Sequence, residues 1–511
     1  MTSRRVELVD TTVRDGNQSL WGATGLTTAD VLAIAPQIDR VGYHALDFTT
    51  STHLAVSVRY HHEDPWERLR LAAAAMPHTP LGFLTTGTRF ISWTPAADDL
   101  LELAFTTVVR NGVRRFQIMH PSNDVPTLLR LARMARRAGA AEIVLALTYS
   151  VSPVHDDAYF AARIEALSAT TDADRFYLKD PGGLLVPDRA ARVIGMLVAG
   201  AGGRPVEVHS HCTTGLAPLV YLEAVAAGAG AVHTAVRPLA CGTSQPSAEM
   251  TLHNLTEEGF EHGLDEQALA ETSAYFEALA ARKGLARAAM PEYDAAYHRH
   301  QLPGGMASTM RRQLEEMRRG ELFDAALHEV ERVRAELGFP IMVTPLSQFV
   351  ATQAVMNLVA PERYANVPDE VVRMVLGQFG EPAAPPDPDV LERILSLPRA
   401  RELRDLEPLS LEGARGRFGA AITDEELLLR LTMPPEQVDA MAAATGEAAP
   451  APPAAAPTAT PSQRPPVRSG RAPLVRLLRE LEARPAVTAL ELRTDTERLR
   501  WRRGGGDDVA R

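Results

Sequence analysis

The side chains best suited to chemistry in this sequence are two imidazoles one residue apart, a carboxylate and a lone lysine. His209 and His211 stand in VEVHSHC, Asp15 in DTTVRDGNQSL and Lys179 in RFYLKDPGGLL. Alternate residues on a strand face the same side, so the two histidines point together, as two ligands of one metal must. Asp15 would add a carboxylate oxygen and complete the mixed nitrogen and oxygen set that suits Zn, Mn or Co. An isolated HxH pair is as readily explained by two imidazoles held in local hydrogen bonds; its place at a strand end, together with Asp15, favours a metal. Lysine occurs only at Lys179 and Lys283 among 53 basic residues, so arginine has replaced it almost throughout. Only a primary amine loses its proton readily and reacts with carbon dioxide or carbonyls, which gives a retained lysine a chemical reason to persist.

Residues so far apart in sequence need a scaffold that gathers strand ends. Short runs rich in β-branched and aromatic residues recur at 6–10, 44–49, 80–85, 114–119, 142–149, 175–180, 205–211 and 231–236, separated by segments with apolar residues at helical spacing. Eight strands alternating with helices predict an α/β fold, a (β/α)8 TIM barrel over residues 1–264, with its active site at the C-terminal strand ends. No GxGxxG follows the first strand, which argues against a dinucleotide-binding sheet. From 265 to 445 the pattern turns helical, as in MRRQLEEMRRGELFDAALHEVERVRAELG, and predicts a helix-rich domain completing the active-site funnel. Residues 446–472 are nearly all Ala, Pro, Ser and Thr and read as a flexible, disordered linker. Residues 473–511 read as a small helix-hairpin tail: Leu474, Leu477, Leu478 and Leu481 share a helical face, and two alternating segments flank a TDTE turn.

Composition narrows the function classes. A chain of 511 residues with 45% hydrophobic content exceeds one ordinary domain and can bury a large core. A net charge of -11 argues against a nucleic-acid binder, and the absence of a long apolar run argues against a membrane span. Cys212 and Cys241 cannot build a disulfide framework or a CxxC zinc site. With no targeting pattern at the start, a cytoplasmic protein is expected.

The motifs DTTVRDGNQSL, EDPWERL, YSVSPVH, LKDPGGLL, HSHCTTGLAP, GTSQPSAEM, HQLPGGM and VTPLSQFVATQAV follow one another in this order. Over about residues 6–440 the chain resembles the carboxyltransferase component of biotin-dependent enzymes, the family of the pyruvate carboxylase carboxyltransferase domain, the oxaloacetate decarboxylase alpha subunit and the transcarboxylase 5S subunit. The resemblance implies a divalent metal held by Asp15, His209, His211 and a carbamylated Lys179, the carbamate turning a cationic amine into an anionic oxygen ligand. It implies transfer of carboxylate between carboxybiotin and a small keto or acyl compound through an enolate. Thr243 matches the hydroxyl that relays the proton at the biotin, with Ser244 and Gln245 beside it. Arg14 and Gln18 match residues that contact the substrate or its enolate oxygen. It also implies a biotin carboxyl carrier protein and a biotin carboxylase subunit as partners, and a homo-oligomer.

Two departures bear on the substrate. Where the family reads LLRG, this chain reads Leu84-Thr85-Thr86-Gly87, and where the family reads FRIFD it reads Phe116-Gln117-Ile118-Met119-His120. Thr86 and Gln117 thus stand in the substrate pocket in place of two arginines. A bidentate arginine holds a carboxylate in a way threonine cannot reproduce, so plain pyruvate is not the expected acceptor. Arg89 is the nearby cation that could compensate. The chain has no lysine after Lys283, so the tail cannot carry biotin, and the carrier must be a separate protein. Residues 473–503 weakly resemble the segment before the biotinyl domain of the acetyl-CoA carboxylase carrier, which suggests docking or assembly. Two alternatives remain: a metal-dependent lyase or synthase of the hydroxymethylglutaryl-CoA lyase kind, and a non-catalytic scaffold subunit of a carboxylase complex.

Overall fold

The computed structural model describes residues 5–88, 96–419, 421–447, 489–493 and 498–502. Eight parallel strands close into a barrel in sequence order: β1 (Glu7–Asp10), β2 (Ala45–Thr50), β3 (Leu81–Thr86), β4 (Arg115–Met119), β5 (Glu142–Thr148), β6 (Arg175–Asp180), β7 (Val206–Ser210) and β8 (Ala231–Thr234). Each expected strand is present within a residue or two of its expected ends. Closure is made by β1 on β8, with Val9 opposite His233 and Asp10 opposite Thr234.

Strands buried on both faces read as near-continuous apolar runs, and the polar residues within them must face the barrel interior. β6 shows the division. Phe176 and Leu178 belong to the core under the surrounding helices, whereas Tyr177 and Lys179 point inward. At the N-terminal end the interior is filled by charge: Arg115 reaches Glu207 at 2.5 Å and also pairs with Glu142, while Arg175 pairs with Glu207 and Glu7 at 2.5 Å each. Such a set is stable only because every charge has a partner, since one orphaned buried ion would cost several kcal/mol, roughly 3–5. That end is the structural floor, which leaves the opposite mouth for chemistry.

Besides a small set that joins Leu84, Met119, Val144, Ala146 and Tyr177 of the barrel to Ile341 and Val343, two larger groups of buried side chains fill the rest. The larger joins the barrel helices to Leu269, Phe276 and Leu279 of the helix Glu266–Lys283 and to Leu427, Leu428 and Met433 near the end of the described helices. The smaller is built from helices between Leu302 and Leu403, around Val330, Val350 and Phe349. The expected boundary at 264 therefore cuts through the larger group, because the helix that follows it packs against the helix Ala35–Val41. Trp66 donates from its indole to the carbonyl of Glu425 and fastens the 424–432 helix to the barrel. By itself, the region after 449 shows one antiparallel pair, Ala489–Arg493 with Arg498–Arg502, Leu492 opposite Leu499. The expected linker at 446–472 and the leucine helix of the tail lie outside the described residues, apart from 446 and 447. No helix among the described residues is long and apolar enough to cross a membrane.

Candidate active site at the barrel mouth

The chain after β1 makes a wide helical turn, Thr12–Gly16, in which Gly16 N–H reaches back to the carbonyl of Thr11. That turn throws Arg14 and Asp15 over the barrel mouth. Gly16 is required there, because a Cβ would come within 2.9 Å of the Leu239 carbonyl. Arg14 donates to Asp47 of β2 through Nε at 2.9 Å and lies 3.2 Å from Asp15 Oδ2. Both of its carboxylate partners are therefore protein groups.

Asp15 Oδ2 meets His209 Nε2 at 3.1 Å and His211 Nε2 at 3.4 Å, and all three side chains are buried. One ligand atom from each lies within 4.8 Å of the others, the only such cluster among the described residues. The fit to a divalent cation rests on where the lone pairs go. His211 Nδ1 lies 2.5 Å from the carbonyl of Thr243, which can only accept, so Nδ1 carries the proton and Nε2 offers its lone pair to the cluster. Burial would raise the Asp15 carboxyl, but Arg14 beside it and the two imidazoles hold it well below the usual carboxylate range. Burial, reinforced by Lys179, keeps His209 uncharged. A carboxylate oxygen and two imidazole nitrogens are the donors that zinc, manganese or cobalt prefer.

Lys179 closes the group. Its Nζ lies 4.0 Å from Asp15 Oδ2 and has no hydrogen-bond partner, although the residue is 4% exposed. Burial pulls its amine down to about 8, against the pull of Asp15. Its neighbour Asp180 turns the other way and binds the loop: it accepts from Leu184 N–H at 2.8 Å, Leu185 N–H at 2.9 Å and Ser210 Oγ at 2.8 Å. In that loop Gly183 takes φ +65, and a Cβ there would collide with the His211 carbonyl. The DPGG sequence thus serves to bring β6 and β7 close enough for Lys179 and His211 to share a site.

The mouth opens into a cavity of about 570 Å³. Arg14, Asp15, Gln18, Lys179, His211 and Thr243 line it, as do Thr86 and the apolar side chains of Leu84, Met119, Met306, Met342 and Val343. The helix-rich part supplies the roof through Pro303, Met306 and Met342. Arg14 and Lys179 are the only arginine or lysine on its wall among the described residues; Arg89 lies outside them. Thr243 Oγ1 donates to the carbonyl of Ser19 at 3.0 Å, which holds the hydroxyl at the rim.

Three expected positions are corrected. Gln117 is fully buried one layer below the cavity, and neither amide atom has a partner; the inward face of β4 places Met119, not Gln117, on the wall. Ser244 and Gln245 are also fully buried, so they do not face a biotin with Thr243. Gln245 instead sends its amide into the cluster, with Nε2 2.9 Å from His211 Nε2 and 3.2 Å from both His209 Nε2 and Asp15 Oδ2. Glu207 and His233 were not expected here. Glu207 shares the inward face of β7 with His209, so the alternation that picked out HxH extends to ExHxH.

Comparison with known proteins identifies the family. The family model described as HMGL-like matches residues 5–275, and that described as Conserved carboxylase domain matches residues 298–464. A pyruvate carboxylase subunit from Methanocaldococcus jannaschii is 38% identical over 394 residues, covering 76% of this chain and 68% of that protein. The 2-oxoglutarate carboxylase large subunit of Hydrogenobacter thermophilus is 30% identical over 447 residues, covering 85% of this chain and 68% of that one. The solved carboxyl transferase domain of Rhizobium etli pyruvate carboxylase with pyruvate superimposes with a TM-score of 0.77 at 25% identity, covering 87% of this chain and 78% of that domain. The second model spans the helix-rich part. With both halves matched and the polar residues gathered at one mouth, the chain belongs to the carboxyltransferase family of biotin-dependent enzymes.

Proposed function

We propose that this protein moves carboxylate between N1 of a carboxybiotin, carried on a separate protein, and a carbon next to a carbonyl in a small acceptor. The observation that carries the reading is the convergence of Asp15, His209, His211 and Lys179 on a cavity whose rim holds the Thr243 hydroxyl. Asp15, His209 and His211 would hold the divalent metal, which supplies Lewis-acid stabilisation to negative charge on the acceptor oxygen. Lys179 adds a ligand once its amine nitrogen bonds to the carbon of CO2 and releases a proton, leaving a carbamate. The free Nζ, buried and unpartnered beside Asp15, has the room and the motive for that reaction.

Loss of CO2 from carboxybiotin leaves a basic ureido nitrogen. Thr243 gives that nitrogen its hydroxyl proton and takes one from the acceptor carbon, so the enolate forms as biotin is neutralised. The enolate carbon then attacks the CO2 held in the same cavity. Arg14 faces the developing oxyanion, but its charge is already shared with Asp47 and Asp15, so it stabilises charge that appears during reaction more than a resting carboxylate. Gln18 sits on the same wall as a hydrogen-bonding contact.

The acceptor differs from pyruvate. Thr86 occupies the wall where the family resemblance implies an arginine, and Leu84, Met119, Met306, Met342 and Val343 make the surroundings apolar. A larger, less charged acyl compound, such as a thioester, suits this wall. A biotin carboxyl carrier protein and a biotin carboxylase subunit would complete the cycle as partners. We also propose a homo-oligomer, and a docking role for the tail. The discriminating experiment presents metal-loaded protein with a carboxylated carrier and keto acids or acyl thioesters, and follows label from biotin into each acceptor. Transfer to a thioester above pyruvate supports the reading, and transfer to neither class defeats it.

A further inference from the structure

Below the metal-ligand cluster a chain of hydrogen bonds runs through the barrel interior from β8 to β7. His209 Nδ1 lies 3.2 Å from His233 Nδ1, and His233 Nε2 lies 2.8 Å from Glu207 Oε2. All three side chains are completely buried. Neighbouring register makes the geometry: Val208 pairs with Val232, so the next inward residues on the two strands, His209 and His233, meet at one level. Tyr177 stacks on the His233 ring with 5.4 Å between centroids and 16° between planes, and the Tyr221 hydroxyl donates to the His233 carbonyl at 2.5 Å. The ring has little freedom to turn.

The chain has a direction. A carboxylate can only accept, so His233 Nε2 carries the proton that goes to Glu207. His233 Nδ1 is then the acceptor, and His209 Nδ1 must donate to it. With a cation between them, His209 Nε2 and Asp15 Oδ2, 3.1 Å apart, then both present lone pairs to it. The opposite order would put a proton on Nε2, where no cation could be bound. We propose that His233, backed by Glu207, is a positioning residue that fixes the tautomer of His209 and so sets the affinity of the site for its divalent cation. This rests on the reading of Asp15, His209 and His211 as metal ligands. His211 receives the same service from the Thr243 carbonyl, so both imidazoles are oriented, one by backbone and one by the buried His–Glu pair.

The test is metal affinity, measured with zinc against a competing chelator on the full-length protein. His233→Phe keeps a ring in the stack but removes the acceptor, and it should weaken zinc binding roughly 10- to 100-fold, the usual effect of removing a partner of a metal-bound imidazole. His233→Gln offers both an acceptor and a donor and should stay within about threefold of wild type on the same grounds. Val232→Ala thins the core on the same strand without touching the chain, and should lower the melting temperature while leaving zinc affinity alone. Equal affinity in wild type and His233→Phe overturns the proposal, as does a loss in Val232→Ala matching that in His233→Phe. If His233→Phe does not fold, nitrogen NMR of histidine-labelled, zinc-loaded wild type decides the matter. A proton on His209 Nδ1 is expected, and a proton on Nε2 overturns it. Wild type that binds no zinc, manganese or cobalt defeats the metal-site reading itself, and the relay with it; retained binding with an indifferent His233 defeats only the relay.

Discussion

His211 donates from Nδ1 to the backbone carbonyl of Thr243 at 2.5 Å, so an imidazole of the proposed metal site and the loop that carries the proposed relay hydroxyl are held by one bond. The bond uses the main chain of Thr243, while its hydroxyl, held by the Ser19 carbonyl, lines the rim of the cavity. Metal binding and proton relay are therefore separable at this residue.

Thr243→Ala should retain the metal content of wild type while losing about 10²- to 10⁴-fold in carboxyl transfer, the usual contribution of a positioned proton-transfer group. Metal analysis and turnover on one preparation check this. A variant that keeps its rate, or that loses metal and rate together, contradicts the separation.

Lys179 should carry a carbamate in the metal-loaded protein. After equilibration with 13C-bicarbonate, a carbamate carbonyl resonance is expected in wild type and not in Lys179→Arg, whose guanidinium cannot form one. The variant should also bind metal more weakly, having lost an anionic ligand. Normal metal binding and turnover in Lys179→Arg would count against the assignment.

The eight strands, the HxH pair, Asp15 and Lys179 were legible because each obeys a local rule: period-two alternation, a strand-end position, a lysine kept where others became arginine. Gln117 was misplaced because matching a motif fixes a residue's strand but not its depth, and Met119, two residues on, reaches the cavity instead. Gln245 was misread for a similar reason. The GTSQP turn exposes Thr243 at the rim and folds the next two side chains inward, a choice made by long-range packing. His233 carried no signal of its own, since its role depends on the register between β7 and β8. The helix Glu266–Lys283 could not be assigned to the barrel core from sequence because its apolar face is silent about its partner.

Substrate choice follows from the wall at Thr86. Each missing bidentate contact should weaken pyruvate by about 2–3 kcal/mol, roughly 30- to 150-fold. Wild type should be poor with pyruvate and oxaloacetate, and Thr86→Arg should improve pyruvate kcat/KM by that factor while impairing bulkier acyl acceptors. No gain in Thr86→Arg, with good pyruvate turnover in wild type, would place the carboxylate clamp elsewhere.

The floor of the barrel gives stability a pH dependence. His44 lies 2.9 Å from Glu142 and 3.4 Å from Glu7; burial opposes its charge, but the two carboxylates prevail and raise it from 6.5 to about 9. A raised imidazole stabilises the fold fully below its unfolded value and loses that contribution as pH rises through about 9. Glu7, held down to about 2 chiefly by its bond from His44, contributes above its ordinary 4.5 and loses its share as pH falls toward 2. Denaturant titrations of wild type and His44→Gln should differ most between about pH 5 and 6.5 and converge near pH 10. A constant difference across that range would mean the ion pairs contribute nothing.

Carboxyl transfer from biotin at a metal-dependent barrel mouth can be followed with 13C-carboxylate on a carboxylated carrier incubated with this protein and a mixture of keto acids and acyl thioesters. Label is expected to leave biotin and appear on one acceptor carbon, with both events abolished in the His209→Ala, His211→Ala double variant and after chelation. Label that stays on biotin with every acceptor, or that moves at an undiminished rate in the double variant, would contradict it.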